Sequence, residues 1–240
     1  MNEVDCWQSK FKSCTYSNAL LNKLSLINEQ TKDKINFLEI KKAIYYAQKY
    51  HCTQMRQSGE PYYMHPLMVA EMVAPHCFKT DILVVSILHD TLEDTVLTKD
   101  MLEYIFNANV ASKVDDLTRV KSDRKISSAE MVKLLWLQKK YELLLVKYFD
   151  RLHNIQTINA KTEDKQRKII KESLLEFLPV AAYLGMLNKK ENIIEHWIDY
   201  TTGKPHIKAP VFSFQDNYQP LSLILQSETS QRYNQVVLEA

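Results

Sequence analysis

A chain of 240 residues with 45% hydrophobic and 25% charged residues can bury a sizeable core, as one domain with or without appendages. Its net charge of +2 gives no support for a nucleic-acid binder, and no stretch approaches the ~18 consecutive apolar residues of a membrane span. Only three glycines occur, Gly59, Gly185 and Gly203, and neither GxGxxG nor GxxxxGK[ST] is present, so Gly-rich phosphate loops and doubly wound sheets are disfavoured and helices favoured.

Leu20, Leu21, Leu24 and Ile27 recur at helical spacing within residues 17–27 and predict a short helix. Residues 35–51 predict a stronger one, with Phe37, Ile40, Ala43, Ile44 and Ala47 on one stripe. The run from Arg56 to Pro61 reads as a loop because it contains Gly59 and Pro61. A helix resumes over 65–73, with Pro66 tolerated in its first turn. After a break at 75–80, Thr80 or Asp81 is expected to cap a buried helix built on Ile82, Leu83, Val84, Val85, Ile87 and Leu88. Thr98 is expected to cap residues 99–106, and short helices are expected over 110–120 and from Ser128 to about Lys139. Residues 141–158 read as an apolar helix interrupted at 150–154, and residues 163–183 as a long amphipathic helix kinked by Pro179. A last helix is expected over 188–200, followed by a Pro-, Ser-, Gln- and Asn-containing tail at 201–240 with no assigned structure.

Cys6, Cys14, Cys52 and Cys77 form no CxxC pair and read as free thiols of a reducing compartment. The N-terminus lacks the basic-then-apolar order of a secretory leader, and a cytoplasmic location is expected. The basic run Lys161, Lys165, Arg167, Lys168 and Lys171 reads as a solvated helix face.

The most informative stretch is His89-Asp90-Thr91-Leu92-Glu93-Asp94, which follows directly on the apolar run 82–88. Continued as a helix, it would put His89 and Glu93 on one edge and Asp90 and Asp94 on the next. Four ionisable groups at the end of a buried helix call for a compensating charge, and a metal cation suits imidazole and carboxylate. His65 and Asp150, each next to apolar runs, supply further residues of the same kind. Taken singly, His65 reads as a core histidine and Asp150 as the partner of Arg151.

The order His65, His89-Asp90, Asp150 resembles that of the HD superfamily of metal-dependent phosphohydrolases. The segments Arg56-Gln57-Ser58-Gly59-Glu60-Pro61-Tyr62-Tyr63-Met64-His65-Pro66, His89-Asp90-Thr91-Leu92-Glu93-Asp94 and Asp150-Arg151-Leu152-His153-Asn154 are more narrowly similar to the hydrolase domain of the RelA/SpoT family. Val114-Asp115-Asp116-Leu117-Thr118-Arg119 resembles a further stretch of it, and the likeness covers roughly residues 35–190. It implies an all-α HD-domain fold over 35–200, with a helical lead-in at 1–34 and the tail 201–240 as a C-terminal extension. It also implies one Mn²⁺ held by His65, His89, Asp90 and Asp150. The implied reaction is hydrolysis of guanosine 3′,5′-bis(diphosphate), ppGpp, or of pppGpp, to GDP or GTP and pyrophosphate. Glu93 and Asp94 would handle protons, and Arg56, Ser58, Asn154 and Thr157 would contact the nucleotide.

Gln57 stands where the family usually has Lys, which removes one positive charge near the nucleotide. Ala182-Tyr183 replaces a His-Arg pair, and the synthetase domain of long members is missing, so a stand-alone hydrolase, or the separated half of a longer ancestor, is expected. Rival readings are an HD phosphohydrolase for another nucleotide and a binding module with a relic site. Oligomeric state is not legible.

Overall fold

The protein was analysed as a computed structural model, which describes residues 7–120 and 124–184. The expected helix at 188–200 and the tail 201–240 lie outside the described residues. Every regular element among the described residues is helical, as the scarcity of glycine and the 3.6-residue periodicity predict. The chain divides into two compact units, Met1–His153 and Asn154–Ala240.

In the first unit, α1 (Trp7–Lys10) and α2 (Thr15–Gln30) precede α3 (Phe37–His51). The Asn36 side chain caps α3 by accepting from the backbone N–H groups of Leu38 and Glu39, at 2.9 and 3.3 Å. Ile40, Ala43, Ile44 and Ala47 bury the predicted stripe, and His51 closes the helix fully buried. α4 (Met64–Val73) and α5 (Thr80–Leu88) follow. Ile82 to Leu88 of α5 are all buried, so this helix is apolar all round and takes the centre of the unit, packed on α3, α4 and α8 (Ala108–Leu117). Each Ile, Leu and Val among them contributes about 1.5–3 kcal/mol by leaving water, and the Ser86 hydroxyl donates to the Ile82 carbonyl at 2.7 Å.

Thr80 does not cap α5. Its hydroxyl accepts from the backbone N–H of Asn36 (2.9 Å) and ties the start of α5 to that of α3, while Lys79 occupies the capping position. α5 also stops at Leu88 instead of running on through Asp94. Asp90 adopts φ −96°, ψ −6°, the bridge region used by turns, and a separate single turn, α6 (Thr91–Asp94), follows. Hydroxyl groups cover the break: Thr91 donates to the Leu88 carbonyl and Thr95 to that of Thr91, both at 2.6 Å.

α7 (Lys99–Ile105) is capped by Thr98 and packs on α8. After α9 (Ser128–Leu137), α10 (Tyr141–Gln156) runs without the expected interruption at 150–154. Its polar residues there do not break it because Asp150 has a buried partner one turn earlier: Lys147 Nζ lies 2.7 Å from Asp150 Oδ2. Arg151 donates to the Ser128 hydroxyl at 3.0 Å.

The second unit contains a short 3₁₀ turn, Ile158–Ala160, and then α11 (Glu163–Glu172), the π turn Ser173–Phe177 and α12 (Leu178–Tyr183). The π turn lies directly before Pro179, which lacks an N–H and crowds the preceding turn, so the expected kink takes the form of a widened turn.

Candidate metal centre

The site lies where three elements of the first unit meet. His65 sits in the first turn of α4, His89 and Asp90 at the break after α5, and Asp150 on α10. His65 and His89 are 1% exposed and Asp150 is 9% exposed. His65, His89 and Asp150 each offer one ligand atom, and these atoms lie within 4.8 Å of one another. His65 Nε2 is 3.1 Å from Asp150 Oδ1 and 3.6 Å from Asp90 Oδ2; His89 Nε2 is 3.1 Å from Asp90 Oδ1 and 3.7 Å from Asp150 Oδ1. Residues separated by up to 85 positions in sequence are thus brought into one cluster.

The outer ring nitrogens fix which inner atoms are available. His89 Nδ1 donates to the Ser86 carbonyl (2.8 Å), which leaves Nε2 facing the carboxylates. That nitrogen is fully buried, and its nearest polar neighbours, Asp90 Oδ1 and Asp150 Oδ1, lie outside good hydrogen-bond geometry. His65 Nδ1 meets His153 Nδ1 at 2.8 Å, and His153 is itself buried. Burial, then the charges of His65 and Arg56, push His153 down to about 3, so it is neutral and can accept the His65 proton. His65 Nε2 is then free to offer its lone pair.

Charge balance points the same way. Burial would lower the His89 imidazole, but Asp90 and Asp150 raise it to about 10. Burial would raise both carboxyls, yet His89 holds Asp90 below the usual carboxylate range, and Lys147 with the two imidazoles does so for Asp150. The two carboxylates thus demand positive charge inside the pocket. Two imidazole nitrogens and carboxylate oxygens converging on one buried point fit a divalent cation. Lys147 occupies Asp150 Oδ2 and leaves Oδ1 toward the imidazoles.

Glu93 and Asp94 separate. Because α5 breaks at His89, Glu93 does not stack beneath it. Glu93 Oε1 instead lies 3.0 Å from Arg119 and 2.8 Å from Lys125, and the Arg119 backbone N–H donates to Oε2 at 3.2 Å. The chain returns Lys125 to this position through a bridge between Val120 and Lys125, with Ile126 N–H donating to the Arg119 carbonyl. Asp94 turns the other way: the Tyr62 hydroxyl lies 2.7 Å from its Oδ2 and 3.0 Å from Asp90 Oδ2.

Arg56 and Ser58 lie at the tip of the loop between α3 and α4, where Gly59 takes φ +94° and the Arg56 N–H donates to the Glu60 carbonyl. Arg56 is half-buried there and Ser58 exposed. Asn154 lies four residues past Asp150 on α10, and Thr157 precedes the 3₁₀ turn. No role for Tyr62, His153, Lys147, Arg119 or Lys125 was legible in the sequence. Lys147 and His153 stand three residues either side of Asp150, a helical spacing that marks them as its neighbours. Tyr62 and Lys125 sit in loops and carry no periodic signal.

A profile of the HD domain matches residues 43–187, and the chain belongs to the HD-domain family. Within that family it is similar to proteins of the RelA/SpoT type. It is 33% identical over 173 residues to the GTP pyrophosphokinase rsh of Brucella ovis, a match covering 70% of this chain and 23% of that one. It is 35% identical over 176 residues to the guanosine-3′,5′-bis(diphosphate) 3′-pyrophosphohydrolase of Spiroplasma citri (71% and 24%), and 36% identical over 162 residues to that of Aquifex aeolicus (66% and 23%). The match spans about a quarter of the length of these relatives. A solved metazoan ortholog of SpoT aligns with a TM-score of 0.47 at 21% identity, over 62% of this chain and 97% of its own. No helix among the described residues is long and apolar enough to cross a membrane.

Proposed function

We propose that this protein is a metal-dependent phosphohydrolase that uses Mn²⁺ to hydrolyse ppGpp and pppGpp to GDP or GTP and pyrophosphate, acting in the cytoplasm. The observation that carries the reading is the buried Nε2 of His89, held toward two carboxylates beside a second imidazole. The names of the Spiroplasma citri and Aquifex aeolicus relatives support the choice of substrate.

In this reading His65, His89, Asp90 and Asp150 hold the ion. Bound there, a divalent cation would offset phosphate charge and make a water more acidic. The chain's own groups do the rest. Water adds to the phosphorus attached to the 3′-oxygen, the bond from that phosphorus to the 3′-oxygen breaks, and the 3′-oxygen takes a proton. Asp94, beside Asp90, is the residue placed to carry that proton. Glu93, clamped by Arg119 and Lys125, keeps positive charge at the edge of the site. Arg56 and Ser58 on the α3–α4 loop contact the nucleotide.

The test is pyrophosphate release from ppGpp by purified protein with Mn²⁺, and again after chelation. Release that depends on added Mn²⁺ is expected. If ppGpp survives while another nucleotide is cleaved, the substrate is wrong and the phosphohydrolase class stands. If no nucleotide is cleaved but ppGpp still binds, the protein is a binding module.

A further inference from the structure

We infer that Tyr62 is a positioning residue of the hydrolytic site, whose hydroxyl sets the Asp94 carboxylate at a fixed place beside Asp90. The inference rests on the hydrolase reading above and adds to it the device that aims its proton carrier. The hydroxyl lies 3.0 Å from Asp90 Oδ2 and 2.7 Å from Asp94 Oδ2, so one oxygen atom spans the metal-side and proton-side carboxylates. Asp94 sits at the end of α6, a single turn whose backbone N–H groups at Glu93 and Asp94 bond back to the Asp90 carbonyl, and the Tyr62 hydroxyl holds its carboxylate.

The ring that carries the hydroxyl is immobilised from behind. It stacks on His51 with centroids 4.7 Å apart and planes 22° from parallel. His51 is fully buried at the end of α3, and its Nδ1 lies 2.7 Å from Gln54 Oε1. Because that oxygen can only accept, His51 Nδ1 carries the proton. The other end of the same amide, Gln54 Nε2, donates to the Asp94 carbonyl at 2.7 Å, and the Tyr62 N–H donates to the Gln54 carbonyl at 2.9 Å. His51, Gln54 and Tyr62 therefore form one brace, built from the end of α3 and the loop after it. It grips Asp94 by side chain and backbone together. A group held in this way loses little orientational freedom when the substrate arrives, and small displacements of such a group are costly to rate.

Tyr62→Phe keeps the stack on His51 and removes only the hydroxyl. With ppGpp and saturating Mn²⁺, kcat is expected to fall about 10- to 100-fold while KM and the affinity for Mn²⁺ each stay within about twofold. Combined with Asp94→Asn, the second substitution is expected to add almost nothing, since both remove the same function. An active wild type whose kcat is unmoved by Tyr62→Phe overturns the inference. So does a full, multiplicative loss on top of Asp94→Asn, and so does a loss of Mn²⁺ affinity equal to that of Asp90→Asn, which would make Tyr62 a support of the ion alone. Should Tyr62→Phe fail to fold, Gln54→Met removes the backbone grip instead; a several-fold fall in kcat at constant KM supports the brace and an unchanged kcat overturns it. A wild type inert toward ppGpp defeats the hydrolase reading, and the inference falls with it.

Discussion

Glu93 and Asp94 are neighbours in the chain and face opposite electrostatic environments: Glu93 sits between Arg119 and Lys125, and Asp94 beside Asp90 under the Tyr62 hydroxyl. Burial would raise both. For Glu93 the two cations more than offset it and keep the carboxyl below its ordinary value; for Asp94 burial, with the nearby Asp90 and Glu93 charges, wins over the Tyr62 hydrogen bond and raises it. A carboxylate held by two cations is a weak base, whereas one with a raised pKa can exchange a proton nearer neutral pH.

The two residues should therefore behave differently when neutralised. Asp94→Asn is expected to lower kcat for ppGpp by about 10²- to 10⁴-fold. Glu93→Gln frees Arg119 and Lys125 and is expected to act mainly on KM. Steady-state kinetics of the two variants, side by side, check this; equal losses of kcat would reject the division of labour.

Metal loading should stabilise the fold. A ligand bound only by the native state, present at ~100 times its Kd, adds about 2.7 kcal/mol. Thermal unfolding with Mn²⁺ and with a chelator reads this directly. His89→Ala should abolish the difference, because it removes the nitrogen that faces both carboxylates.

His153 should act on the metal through His65. Its Nδ1 lies 2.8 Å from His65 Nδ1, where it can accept the His65 proton and leave Nε2 to the metal. His153→Phe is expected to weaken Mn²⁺ binding about 10- to 100-fold, the usual effect of losing such an outer partner. Titration of the chelated protein with Mn²⁺ measures it.

Away from the site, Asp81 accepts from Lys113 and from Asn109 and thereby joins α5 to α8. Burial would raise its carboxyl, but these bonds hold it below the ordinary value. A lowered folded-state pKa means that the stabilisation is present above the unfolded value of ~3.9 and is lost as pH falls through the folded one. Asp81→Asn is expected to cost about 1 kcal/mol or less at pH 7, since the pair is partly exposed to water. The cost should shrink as the solution is acidified below pH ~4. Denaturant unfolding of both proteins at pH 7 and pH 3 tests it.

Much of the architecture was legible in the chain because helix formation is local. Ile40, Ala43, Ile44 and Ala47 at 3.6-residue spacing mark one buried stripe, and Ile82, Leu83, Val84, Val85, Ile87 and Leu88 mark a buried helix. The grouping of His65, His89 and Asp150 came from the likeness of their order to that of the HD superfamily, because singly His65 reads as a core histidine and Asp150 as a partner of Arg151. What periodicity could not supply was where helices stop and which way loop side chains turn. The break at Asp90 parts Glu93 from His89, Lys147 balances Asp150, and Tyr62 bridges two carboxylates from a loop. These were settled by packing between segments far apart in sequence, where burial and charge neutralisation outweigh any preference of a single residue.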